Sequence, residues 1–287
     1  MSLFRSQRAA KQDHSGRFSL PLSSLPNIAA YGDERWMELY RDLGTYSYDD
    51  HIFRSTTPPE VYRKGWEWTQ TVWGLERLDM LQPNHRAIGI GAGRECVIFW
   101  LGDRLRKVVA TDLYGNAHWS SIGGQEADSA VLEDPQAFCP RPIRTDAIEF
   151  RTMDGTDLSQ YPDATFDIAW SLSSIEHFGS QERSSDAVRE MARVVRTGGV
   201  LAIATEYLLL PDQTYPEAFT RSEFEEHVLH ATSDLELVEP IDWSLPPTEY
   251  LIDSIVFPHG IDRTRRHIVL NDGYAQWTSI LAFFRKR

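Results

Sequence analysis

The sequence predicts an α/β fold: a doubly wound, mostly parallel, seven-stranded sheet with a C-terminal antiparallel hairpin and an N-terminal helical or irregular extension. Three observations carry that expectation. Short apolar runs alternate with segments of helical periodicity between residues 86 and 208, the pattern of parallel strands joined by helical crossovers. A cluster of glycines, "GIGAG", stands where the first such strand meets its helix. The closing stretch "RRHIVLNDGYAQWTSILAFFRK" holds two strand-like runs about a turn at Asp272-Gly273, a hairpin signal.

The elements follow in order. Residues 1–60 read as an N-terminal arm and candidate lid, with a short helix around Glu34–Asp42, and residues 61–287 as the main domain. "PPEVYRKGWEWTQTVWGLERLDML" places Trp66, Thr69, Val72, Trp73, Leu75 and Leu78 at helical spacing behind two prolines, which a helix tolerates only at its start. The first strand is Ala87–Ile90, the helix after it runs from Arg94 to about Leu101, and the second strand is Lys107–Thr111. Residues 113–147 are polar, long for a connection, and read as a candidate lid insertion with a helix near Gln125–Leu132. A third strand ends near Thr152 and a fourth near Ser171. A helix over Gln181–Arg196 is expected to stop at Gly198-Gly199, and "VLAIATEY" is the fifth strand.

Composition narrows the function. The 287 residues hold 29 Lys and Arg against 42 Asp and Glu, a net charge of −13. No basic cluster offers a face to phosphates, so nucleic acid is disfavoured as a partner. No apolar run approaches the roughly 18–20 residues of a membrane span. Cys96 and Cys139 are too few for a disulfide framework and lack metal-ligand spacing, so no metal is expected and a cytoplasmic setting fits. The first residues carry Arg5, Arg8, Lys11 and Arg17 against Asp13, a basic tail without an apolar signal core.

The segment "RAIGIGAGRECVIFWLGDRLRKVVATDLYG", residues 86–115, is a βαβ unit of nucleotide-binding layout. A dinucleotide fingerprint would need glycine at 89, 91 and 94, and position 94 is arginine. Glu95 in the first turn of the helix would repel a pyrophosphate seated on the helix N-terminus. The same carboxylate is compatible with a cationic ligand.

Here the chain resembles the class I S-adenosyl-L-methionine (SAM) dependent methyltransferases, from about Ala87 to the C-terminus. "GIGAG" resembles that family's glycine loop, "VVATD" its ribose-binding acid, "RTMDGTDL" its acid near adenine, and "ARVVRTGGVLAIATE" its helix, double glycine and fifth strand. The resemblance implies a Rossmann-like fold and SAM as cofactor. It places Gly89, Gly91, Gly93 and Glu95 at the loop, Asp112 at the ribose with Leu113 beside it among the cofactor-binding residues, Asp154 and Gly155 beyond strand three, and Ser171 at the end of strand four. Two departures stand out. Gly89 replaces the usual acid, and Glu95 replaces the third glycine.

A hydroxyl acceptor benefits from a base of suitable pKa beyond strands one and four. Glu176 and His177 in "SLSSIEHFG" are the catalytic candidates, with a structural role for the pair as the rival reading. His118 and His259 are weaker rivals. Trp66, Trp68 and Trp73 are expected in the core, and Trp119 near the acceptor. "SIEHFG" and "WTSILAFFRK" also resemble methyltransferases of surface-polysaccharide pathways, which makes the expected acceptor a small molecule or glycan intermediate. The alternatives are an aminopropyltransferase on the same fold and a SAM-binding scaffold without turnover.

Overall fold

The computed structural model describes residues 20–48, 53, 62–115, 128–210, 212–213, 215–248, 255–256, 268–271 and 273–287. The strands are β1 (Arg86–Ile90), β2 (Lys107–Asp112), β3 (Ile148–Thr152), β4 (Phe166–Leu172), β5 (Val195–Leu208), β6 (Leu235–Leu237), β7 (Ile255–Val256), β8 (Leu270–Asn271) and β9 (Gln276–Lys286). The helices are α1 (Glu34–Gly44), α2 (Arg63–Arg77), α3 (Cys96–Gly102), α4 (Gln181–Val194) and α5 (Arg221–Phe224), the last continuing as one π turn over Glu225–Leu229.

The strand order is β3-β2-β1-β4-β5-β9-β8-β7, with β6 also on β9. Strands β1 to β5 pair in parallel, while β9 is antiparallel to β5, β6 and β8. The C-terminal hairpin is therefore present, as β8 and β9. The short strands β6 and β7 raise the count above seven, because two or three residues carry too little periodicity to be read from sequence. The order reverses between β1 and β4, so a crevice opens at their carboxyl ends, where sheets of this kind bind ligands.

Helices α1, α2 and α3 cover one face, packing Trp36, Trp66, Val97 and Phe99 on Ala87, Ile168 and Val200. Helix α4 covers the other, with Ala187, Val188 and Met191 against Ile88, Ala169 and Ile203. In α1 the stripe Trp36, Leu39, Tyr40 and Leu43 is buried, the spacing of one helical face, and the Asp33 carboxylate caps it by accepting from Trp36 N at 2.8 Å. Helix α2 is buried around most of its circumference. Its Gly74 is required by contact, since a Cβ there would lie 2.2 Å from Phe283 Cζ.

Two boundaries differ from expectation. Helix α4 ends at Val194 and β5 begins at the next residue, so Gly198-Gly199 interrupts a strand rather than ending a helix. Gly198 has φ +78°, and a Cβ on Gly199 would lie 2.6 Å from Asp167 O. The glycines serve the register shift between β4 and β5 near Asp167. In the expected helix near Gln125–Leu132, the described part is a 3-10 turn at Ser129–Leu132. It leads through a second turn, Pro135–Phe138, to Arg141, whose guanidinium donates to Thr45 Oγ1 at 3.0 Å and lies over the Tyr46 ring. Residues 128–147 are thus fastened to the end of α1.

The outer edge of β9 is shared by three segments. Strand β8 pairs with its first residues and β6 with its last. Between them Ser24 N donates to Leu281 O at 2.9 Å, and Leu281 N returns a bond to Ser24 O at 3.0 Å. Ser23 Oγ accepts from Phe283 N at 3.0 Å.

Candidate active site

The loop after β1 is closed by the acid after β2. Gly91 and Gly93 both have positive φ, +62° and +49°, a region glycine enters without strain. A Cβ on Gly91 would also lie 2.6 Å from Ser174 Cβ, and Ser174 Oγ donates to Gly91 O at 2.6 Å. Gly93 N donates to Asp112 Oδ2 at 2.9 Å, Leu113 N donates to Asp112 Oδ1 at 2.7 Å, and Tyr114 Oη donates to Gly93 O at 2.6 Å. A carboxylate has about four lone-pair sites, so Asp112 keeps capacity for hydroxyl donors. The Leu113 side chain is exposed beside it.

Gly89 has a packing cause. It pairs with Trp170 across β1 and β4, and a Cβ on it would lie 2.4 Å from Trp170 Cζ2 and 2.8 Å from Ala92 Cβ. The indole fills the space that an acid at 89 would need. Glu95, at the N-cap of α3 with no capping bond, turns inward instead. It is buried, and its Oε2 has no hydrogen-bond partner. Burial pushes its carboxyl up to about 8, against the opposing pull of Lys64 and of the indoles of Trp68 and Trp170. Both indole Nε1 atoms are buried without closing a hydrogen bond: they approach the carboxyl but miss donor geometry.

Asp154 accepts from Thr156 N at 2.9 Å, Thr156 Oγ1 at 2.7 Å and Arg183 Nη2 at 2.8 Å. These bonds outweigh partial burial and hold its carboxyl below the usual range. Gly155 has no room for a side chain, since a Cβ would lie 2.6 Å from Ile90 Cγ2 and 2.6 Å from Phe178 Cε2. Ser171 is buried in β4, its hydroxyl without a partner.

Glu176 and His177 sit on a 3-10 turn beyond β4 and are turned to different tasks. Glu176 Oε2 accepts from Thr205 Oγ1 at 2.8 Å, and Oε1 accepts from Glu206 N at 3.2 Å, tying the turn to β5. Burial pushes its carboxyl up to about 7. His177 Nδ1 pairs with Glu217 Oε1 at 3.5 Å. Burial holds its imidazole below the ordinary value, although Glu217 and Glu206 oppose this.

Sequence reasoning missed the charges that α2 brings to this point. Arg63 Nη1 donates to Glu67 Oε1 at 3.0 Å, Glu206 Oε1 at 2.6 Å, Ser279 Oγ at 2.9 Å and Ser173 Oγ at 3.4 Å. Lys64 Nζ donates to Glu67 Oε2 and to Leu172 O, each at 3.0 Å. Ser279 Oγ also bonds Glu67 Oε1. The available signal was a charged i, i+4 pair, Arg63 and Glu67, inside a tryptophan-rich helix, and an acid, Glu206, inside an apolar strand.

His118, Trp119 and His259 lie outside the described residues, as do residues 1–19, 49–52 and 54–60 of the N-terminal arm and candidate lid, residues 116–127 of the candidate lid insertion, and Asp272 of the expected hairpin turn. Among the described residues no group of three His, Cys, Asp or Glu side chains is placed to hold a metal, and no helix is long and apolar enough to cross a membrane.

Residues 88–203 match the family model described as a methyltransferase domain. The 27-O-demethylrifamycin SV methyltransferase of Amycolatopsis mediterranei (strain S699) is 38% identical over 73 residues, 25% of each chain. Methyltransferase GfsG of Streptomyces halstedii is 31% identical over 129 residues, 45% of this chain and 40% of that one. The chain thus spans a quarter and two-fifths of the length of these curated relatives. A Galdieria sulphuraria structure, solved as a candidate sarcosine dimethylglycine methyltransferase, aligns over 88% of this chain and 98% of its own with a TM-score of 0.51 at 12% identity. That likeness shows the fold.

Proposed function

We propose, for a chain whose residues 88–203 match the model of a methyltransferase domain, that the protein is a class I SAM-dependent methyltransferase and transfers the methyl of SAM to an oxygen of a hydroxylated small molecule, a glycan intermediate being one such acceptor. One observation carries the cofactor half of this reading. The Gly93 N–Asp112 Oδ2 bond draws the glycine loop and the acid after β2 into one cradle at the switch point of the sheet. The relatives' names, one of them an O-demethylrifamycin methyltransferase, support a small-molecule acceptor.

The residues present fit SAM. Asp112 has acceptor capacity for ribose hydroxyls, Leu113 offers an apolar edge to the adenine, and Asp154 keeps a lone pair for its amino group. Gly91 and Gly93 give the loop its turn, while Gly155 packs against Ile90 and Phe178 and Ser171 lies buried at the end of β4. Glu95 supplies the acid that position 89 cannot hold and answers the α-ammonium. SAM supplies a methyl already activated on a sulfonium. The protein's part is then to position, dry and deprotonate the acceptor.

For deprotonation we assign His177. Its imidazole is held neutral by burial, which is the base form. Glu217 at Nδ1 orients the ring and stabilises the imidazolium once Nε2 has taken the proton. Glu176, bonded to Thr205 and to the β5 backbone, holds the turn that carries His177. The two cysteines, Cys96 and Cys139, are both buried, which supports a reducing, cytoplasmic setting.

Calorimetric titration with SAM, its demethylated product S-adenosylhomocysteine and NAD tests the cofactor, and binding of NAD alone would overturn it. Label transfer from methyl-tritiated SAM to a panel of hydroxylated macrolactones, phenols and nucleotide sugars tests the acceptor class. Label appearing only on amines would refute oxygen as the target.

A further inference from the structure

The carboxyl ends of β4 and β5 hold more negative charge than their partners neutralise. Glu67, Glu95, Glu176 and Glu206 are each less than a tenth exposed, and the cations paired among them are Arg63 and Lys64. Fully ionised, four carboxylates and two cations leave a buried charge of 2 − 4 = −2. Unbalanced buried charge is costly. The cluster is also incompletely bonded: Oε2 of Glu206 and Oε2 of Glu95 have no hydrogen-bond partner. Groups that face it come from every neighbouring element. They are Tyr62 just before α2, Arg63, Lys64 and Glu67 on α2, Tyr114 after β2, His177 beyond β4, and Glu217 before α5. Strand β9 contributes only the uncharged Ser279.

We infer that the inner carboxyls, Glu176 and Glu206, are a receptor for the positive charge on the cofactor's sulfur, so that the site selects the sulfonium over the thioether left after transfer. The inference rests on the SAM reading above. In the free protein the excess charge is relieved by protons. Burial, reinforced by the other acids of the cluster, pushes Glu176 and Glu206 each up to about 7, while Lys64 and Arg63 hold Glu67 below its usual range. A bound sulfonium, with its single charge, takes the place of one of those protons, which passes to solvent. When the C–S bond breaks, its electron pair stays on sulfur and the acceptor's hydroxyl proton goes to His177. The carboxyls then regain a proton, and the site has lost its reason to hold the product.

SAM and S-adenosylhomocysteine share adenine, ribose, ammonium and carboxylate, so their affinity ratio isolates the sulfur charge, and the contribution of Glu95 cancels. The test is calorimetry on the full chain with SAM, S-adenosylhomocysteine and sinefungin, which carries an amine cation in place of the sulfonium, from about pH 6 to 8.5. Preference for SAM over the thioether should rise with pH, by up to about tenfold per unit for each proton displaced, with sinefungin following SAM. Glu206→Gln and Glu176→Gln should each flatten the rise, whereas Glu95→Gln should weaken both ligands and leave the slope. A ratio constant with pH, or tighter binding of the thioether throughout, overturns the inference and leaves the SAM assignment standing. Failure of all three to bind removes that assignment and the inference with it. The pH series on the parent protein decides the matter even if a Gln variant does not fold.

Discussion

Trp170 lies over Gly89 so closely that no side chain fits at position 89 unless the indole moves: a Cβ there would come within 2.4 Å of it. Gly89→Asp should destabilise the protein by about 1–3 kcal/mol from overpacking, before any cost of burying the charge. In a Trp170→Ala background the same change should cost at least about 1 kcal/mol less. Urea unfolding of the four proteins gives the coupling, and additive losses would show that the indole does not exclude the acid.

Asp112 and Glu95 should fail differently. Asp112→Ala removes the acceptor for Gly93 N and the proposed ribose contact, and should weaken SAM and adenosine alike, by about 1.5–3 kcal/mol. Glu95→Gln should weaken SAM by a factor of roughly 10 to 150 and leave adenosine unchanged, because adenosine has no ammonium. Equal losses for both ligands in Glu95→Gln would assign that side chain to the helix rather than the cofactor.

The ligand-free protein should lose stability as pH rises between about 7 and 8.5. Folding raises Glu95 to about 8, whereas an unfolded glutamate titrates near 4.3. The folded state therefore carries a proton that the unfolded chain has already released, and stability falls with pH through that window. Melting temperatures at fixed ionic strength should decline in the parent and decline less steeply in Glu95→Gln, where the raised carboxyls of Glu176 and Glu206 still contribute near the lower end of the range. A parent curve that climbs over this range would contradict the buried, neutral carboxyl.

His177 should titrate below the ordinary histidine range, and lower again in Glu217→Gln. Burial disfavours its imidazolium, while the Glu217 carboxylate partly restores it, so removing that charge leaves the burial effect less opposed. Nitrogen shifts of the ring across a pH series read both values. An upward move in the variant would separate Glu217 from the imidazole and end its role as orienting partner.

How far the sequence could be read depended on how local each cause was. Strand β1, the glycine turn and Asp112 lie within one βαβ unit, and their periodicity and spacing were enough to place them. Gly198-Gly199 was visible but misassigned, because the signal that stops a helix also marks a close backbone approach, here to Asp167. Gly89 looked like a lost acid, and only the packing of Trp170, 81 residues away in the chain, explains it. The Arg63–Glu206 contact spans 143 residues, and no single-sequence pattern joins two such positions. Glu217 belongs to a loop between β5 and α5 whose path toward His177 is set by tertiary packing alone.

The edge of β9 is sealed by a piece of chain that arrives from far upstream. Ser23 and Ser24 fill the interval between β8 and β6, so the last long strand presents no continuous row of free amide and carbonyl groups. A shortened protein beginning after Pro26 would uncover Leu281 and Phe283 on a long apolar strand, a template onto which a second molecule can add its own. Its failure would be seen as concentration-dependent association, even where the cofactor crevice at the opposite side of β5 stayed intact. The residues nearest the start of the fold therefore act as its guard against self-assembly.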